Sequence, residues 1–286
     1  MNRYLSLFLC VGLASVALVG CDDDETSSTP GTDGGSDAGN DSGNVEQDGG
    51  NDSGNEPETG GLRLVHAAPT AGTVDVYIVP AGESVEENAT PTKDDFALGD
   101  VLALDGVPVG AYDAHVYAGD GVVGTDDAIL VLEDISIISG VVIQAAAVDD
   151  LGETPDDDLL PDVVVLGPIG DPENAANSMV KAVHGTPWLG EADVYSVPEV
   201  GEPTLLIENL ATGTQADAVE IPAGSYLLGV DLNNDTETFE AYFQVGVSGS
   251  LKAYAIVYAT ASGSTTPHIM IYVSGSNVTV SVNPLT

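Results

Sequence analysis

His66 and His184 are each followed nine residues later by an aspartate, Asp75 and Asp193. A histidine beside a carboxylate can ligate a metal or shuttle a proton. The same residues also suit a plainer task, in which the ring ties a strand end to the adjoining loop by a hydrogen bond. A zinc site needs three or four converging ligands, and the remaining histidines, His115 and His268, fall at unmatched places. The structural use is therefore expected for both pairs. His66 and His184 stay candidates for binding, with no metal and no catalytic role assigned.

Two acidic stretches offer oxygen ligands. Asp231, Asn233, Asp235 and Glu237 stand at loop positions 1, 3, 5 and 7, as in a calcium loop, but Thr236 and Tyr242 replace its glycine and its bidentate glutamate. A polar hairpin turn accounts for them, with weak calcium binding as the alternative for Asp231, Asn233 and Asp235. Asp149, Asp150, Asp156–Asp158 and Asp162 form a second cluster, expected to be a solvated loop. Trp188 is the single tryptophan. It can stack on a sugar or a partner side chain, or cover the open end of a sandwich. The chain has no Gly-x-Ser-x-Gly elbow, no phosphate loop and no His-Glu-x-x-His. The expectation is a non-enzyme without a cofactor.

The histidine and aspartate pairs belong to a repeat. Residues 65–80 and 183–198 agree at nine of sixteen positions, 118 residues apart. The register continues from Val107–Tyr112 to Ile221–Tyr226 at 114, from Ile138–Gly140 to Val247–Gly249 at 109, and from Pro161–Leu166 to Pro267–Tyr272 at 106. The drift falls in Gly-, Asp- and Pro-rich stretches, as loop-length changes should. Two modules follow, 61–172 and 177–286, each of a size that closes one core, so two domains are expected.

Short runs rich in Val, Ile and Tyr, broken by turn residues, predict strands. Val74, Val76 and Ile78 share one face, with Asp75 and Tyr77 on the other; Tyr112, Ala114 and Val116 alternate with Asp113, His115 and Tyr117. Further strands are expected at 128–133, 141–148, 162–167, 240–247, 251–259, 267–273 and 277–282, the last two joined through Ser274-Gly275-Ser276. About seven short strands per module predict an all-β fold of two tandem immunoglobulin-like sandwiches. In Pro108-Val-Gly-Ala-Tyr112 and Pro222-Ala-Gly-Ser-Tyr226 the tyrosine is expected to open a strand and pack inward.

The N-terminus gives the address. Arg3 precedes an apolar run from Leu5 to Val19, which reads as an export signal over residues 1–20. Leu18-Val-Gly-Cys21 resembles the bacterial lipoprotein processing box, which implies acylation of Cys21 and cleavage before it. An ordinary secretory signal or an uncleaved anchor is the alternative. Cys10 leaves with the signal, so the mature chain has one cysteine and no intramolecular disulfide. Residues 21–60 read as a disordered Asp/Asn/Gly/Ser tether, spanning about 35 Å as a flexible coil. Its aspartates also suit calcium, but without the required ligand spacing.

Val-His-x-x-Pro, then Asp-Val-Tyr, then Pro-x-Gly-x-Tyr, twice in order, resemble the domain of unknown function 4397. Trp188 departs from the first copy, which has Thr70 there. That family occurs mainly in exported bacterial proteins, often as tandem copies behind a lipoprotein signal. The resemblance implies fold and address and no activity.

With 46 acidic and 5 basic residues, a formal charge of −41 disfavours nucleic acid and anionic head groups. The lipid must then hold the membrane. The excess acid also fits a saline habitat, in which stability rises with salt. The expected role is a lipid-anchored protein of the bacterial cell envelope, at the outer membrane or surface rather than the inner membrane, presenting two modules to a protein or glycan. Asp22 resembles an inner-membrane retention signal of some Gram-negative bacteria, a rule that varies between lineages. A structural spacer or surface-coat lipoprotein is the alternative, and an envelope hydrolase ranks behind both.

Overall fold

The computed structural model describes residues 57–151, 161–232 and 238–285. The first repeat forms β1 (Thr59–Ala67), β2 (Val74–Pro80), β3 (Lys93–Phe96), β4 (Val101–Pro108), β5 (Gly110–Ala118), β6 (Leu130–Ile137), β7 (Val142–Val148) and β8 (Asp162–Val165). The second forms β9 (Asn177–His184), β10 (Ala192–Ser196), β11 (Thr204–Leu210), β12 (Val219–Pro222), β13 (Gly224–Asp231), β14 (Ala241–Val247), β15 (Lys252–Tyr258), β16 (His268–Val273) and β17 (Thr279–Val282). Among the described residues the only helical element is a 3-10 turn at Pro69–Ala71, and no helix is long and apolar enough to cross a membrane. The fold is all-β.

Each repeat is a two-sheet sandwich. Order β4-β1-β7-β8 faces β3-β2-β5-β6, and order β12-β9-β15-β16-β17 faces β11-β10-β13-β14. Strands pair antiparallel except β1 with β7 and β9 with β15, which run parallel. The repeated sequence therefore folds into a repeated topology, with β17 added to the second copy through the turn at Gly275, φ +76°.

Two expectations need correction. The match of Ile138–Gly140 with Val247–Gly249 is one residue out of structural register. Gly140 and Ser250 are the true counterparts, since their N–H groups donate to Thr59 and Asn177, equivalent places on β1 and β9. The strand expected to end at 133 runs to Ile137, because a bulge opposite Tyr112 and Ala114 absorbs polar Asp134 at φ +58° and returns Ile137 to the core.

Alternation places the cores. On β1, Leu64 joins Val74, Val76, Phe96, Leu102 and Val116 inside the first sandwich. Ala182, Ala192, Val230, Phe243 and Ile269 fill the equivalent place in the second. The opposite faces are not solvated. Val65, Ala67, Ala146 and Val148 of the first repeat pack directly against Val183, Tyr254, Ile256, Met270 and Tyr272 of the second. The inner sheets are thus buried on both sides, and Pro57–Thr286 packs as one compact unit. Even the outward face of β2 is partly covered, with Tyr77 buried edge-on against Tyr117 at 5.6 Å.

Polar latches close the seam between repeats. Gln144 Oε1 accepts from the Tyr272 hydroxyl at 3.0 Å and the Gly275 N–H at 2.9 Å, while its Nε2 donates to Ser274 Oγ at 3.0 Å. Tyr254 donates to the Gly167 carbonyl at 2.7 Å, and Thr279 donates to that of Gly99.

The proline–glycine–tyrosine turns have a shared geometry. Tyr112 Oη donates to Pro108 O at 3.0 Å and Tyr226 Oη to Pro222 O at 2.8 Å, four residues back in each case. The rings lie over Gly110 and Gly224, where a Cβ would meet ring carbons at 3.7 and 3.6 Å. Both tyrosines are half-buried; Tyr226 faces inward as expected, lining the space between the sheets while its hydroxyl is held at the turn.

Candidate functional site

The buried histidines serve the backbone. His66 Nε2 lies 2.8 Å from Gly72 O and His184 Nε2 2.9 Å from Gly190 O, each closing the loop that leads into the next strand. Ala68 N–H donates to His66 Nδ1 at 3.3 Å, so His66 is the neutral Nε2–H tautomer. Burial pushes both rings below the ordinary histidine range, against the smaller raising effect of these carbonyls. A neutral, enclosed ring committed to a carbonyl is a structural pin.

The aspartates of the same motif do a different job. Asp75 Oδ1 accepts the Asp95 N–H at 3.0 Å, and Asp193 Oδ1 accepts the Asn209 N–H at 2.6 Å. Asp95 and Asn209 have φ of +48° and +50°, at register breaks where β3 and β11 pair with β2 and β10. Each carboxylate clamps a bulge on the neighbouring edge strand. Histidine and aspartate are thus separate supports for one strand and do not form an acid–base pair.

Asp231 is buried at the end of β13, opposite Asp193 on β10. Asn233 and Asp235 lie outside the described residues. The second acidic cluster divides. Asp149 is fully buried, accepting from Thr70 N–H and Oγ1 at 3.2 and 2.6 Å, while its own N–H reaches Gly185 of the second repeat. It is a seam residue and not the solvated one expected, because β7 ends between the two sandwiches. Asp162 accepts the Leu151 N–H at 2.9 Å, and Asp156–Asp158 lie outside the described residues.

One acidic group escaped the sequence reading: Asp75, Asp94 and Asp95 place carboxylate oxygens within 4.8 Å of one another. Only the fold brings Asp75 to residues so distant in sequence, and its Oδ1 is already committed to Asp95 N–H. Trp188 is half-buried, with its indole nitrogen enclosed and no acceptor among the described residues. Cys21 lies outside the described residues.

The concavity of interest lies between the sheets of the second sandwich. A cavity of about 110 Å³ is lined by Val180, Ala182, Leu206, Val219, Tyr226 and Ala253, among other apolar groups. Several of these, on the edge strands β11 and β12, are half-exposed, so the space reaches solvent. A much smaller space of about 10 Å³, near the room of one water, lies at the His66 end of the first sandwich, beside Leu64, Val74, Phe96 and Leu130.

Register shows where the two repeats differ in side-chain size. Leu62 pairs with Ile143 and Leu64 with Ala145 in the first repeat; Val180 pairs with Ala253 and Ala182 with Ala255 in the second. Leu64 and Ile143 are each three carbons larger than Ala182 and Ala253. Leu228 in place of Ala114 returns part of that volume.

No family model matches the chain, and no curated protein matches it. Among solved structures it is similar to the Bacillus anthracis TIE protein, with 13% identity and a TM-score of 0.21. That match covers 70% of this chain and 34% of the other.

Proposed function

We propose that the chain is an exported lipoprotein, acylated at Cys21, that displays its double sandwich as a non-catalytic binding head on the bacterial cell envelope. The apolar run ending in Leu18-Val-Gly-Cys21 and the tandem motifs resembling the domain of unknown function 4397 support the address. The observation that carries the binding role is the apolar, solvent-reaching cavity between the sheets of the second repeat. Keeping an open apolar space where the first repeat supplies Leu64 and Ile143 fits a ligand site better than a scaffold. The first repeat shares a core with the second and serves as its support.

The test compares the wild-type chain with Ala182→Leu/Ala253→Ile, which restores the first repeat's side chains, both immobilised against envelope extracts. A binding head retains a component on the wild type that the filled variant loses. Nothing selectively retained by the wild type leaves only the spacer role, and equal retention by both moves the binding surface away from the cavity.

A further inference from the structure

We infer that the second sandwich holds the apolar end of an uncharged single-chain amphiphile, such as an acyl or isoprenoid alcohol, in the cavity between its sheets. This inference rests on the binding-head reading and names the ligand class for that site.

Size sets the first limit. A dry cavity of about 150 Å³ with aliphatic walls accepts benzene, so about 110 Å³ has room for roughly the last five carbons of a chain. The walls set the second. Val180, Ala182, Leu206, Val219 and Ala253 offer methyl groups and no free donor or acceptor. The polar groups at the lining are spoken for: Ser178 Oγ donates to Ser248 O and receives the Leu251 N–H, and Tyr226 Oη donates to Pro222 O. Inserted methylenes would lose water and meet only carbon.

Charge sets the third limit. The edge strands β11 and β12, which flank the opening, carry Glu208 and Glu220 and neither lysine nor arginine. A carboxylate or phosphate head would meet no cation there and a strongly negative chain around it. The head that remains in solvent is therefore neutral. The first repeat carries the larger Leu64 and Ile143 at the places of Ala182 and Ala253, which leaves less room for the same chain.

Titration of the full mature chain with 1-decanol and with decanoate, at pH 8 and equal ionic strength, tests this. Decanol should bind, decanoate at least tenfold more weakly, and Ala182→Leu/Ala253→Ile should weaken decanol at least tenfold while raising the melting temperature. Should circular dichroism show that the double variant is unfolded, Ala253→Val serves in its place, with a smaller loss of affinity in the same direction. No decanol binding to the wild type, equal binding of decanoate, or undiminished binding to a folded filled variant overturns the inference. A selective envelope component retained by the wild type alongside failed decanol binding would sink the aliphatic ligand and leave the binding head standing.

Discussion

Gln144 of the first repeat accepts a hydrogen bond from the hydroxyl of Tyr272 in the second, at 3.0 Å. Around that contact, Val65, Ala146 and Val148 share a core with Ile256 and Met270. The two sandwiches have no separate hydrophobic surfaces to expose without cost, so they should unfold together. Urea unfolding followed by Trp188 fluorescence, which reports the second repeat, should coincide with far-ultraviolet circular dichroism, which reports both. Gln144→Leu leaves the Tyr272 hydroxyl and Gly275 N–H without this acceptor and should cost about 1–3 kcal/mol. Two separated transitions would contradict the shared core.

The bulge clamps predict an asymmetry. Asp193→Ala strands the Asn209 N–H and should destabilise by about 1–3 kcal/mol. Asn209→Gly, at φ +50°, suits the backbone and should change stability by well under about 1 kcal/mol. Denaturant midpoints of the two variants decide this; a harmless Asp193→Ala would remove the clamp from the account.

Acid should weaken the protein through its histidines. Unfolded, His66 and His184 titrate near 6.5; folded, burial keeps them neutral to lower pH. Below 6.5 the unfolded chain therefore binds more protons, and stability present above that value is lost as pH falls toward the folded values. Asp149 acts in the opposite sense: burial raises its carboxyl above 3.8, so its contribution is complete below 3.8 and is lost as pH rises through the folded value. The urea midpoint should drop between pH 8 and pH 5. His66→Gln/His184→Gln should flatten that slope, and an unchanged slope would assign it elsewhere.

Filling the cavity should stabilise. Ala182→Leu alone should gain up to about 2 kcal/mol from burying three added carbons, provided that Leu takes the rotamer its counterpart Leu64 uses. A fall in the urea midpoint would mean that β9 and its neighbours cannot admit the added carbons.

Much of this fold is written in local pattern. Val74, Val76 and Ile78 alternate with Asp75 and Tyr77, and the matched motifs carry the repeat from β1 to β16. The seam had a signal too: Ala145-Ala-Ala-Val148 and Ala253–Tyr258 are continuous apolar runs, as strands buried on both faces are. Spacing alone could not say that the partner face was the other repeat. The roles of His66 and Asp75 were ambiguous because a nine-residue gap fixes neither ring nor carboxylate; pairing with β3 and closure at Gly72 settle them. The cavity was hidden for a different reason. Comparing Ile143 with Ala253 requires a register of 110 between β7 and β15, and the short sequence match there reads 109.

Metabolic labelling with palmitate tests the claim of a lipid-held binding head most directly. The wild-type chain should take up label and sediment with membranes, and Cys21→Ala should lose both. A wild-type chain without label, or a Cys21→Ala chain that keeps it, contradicts the account.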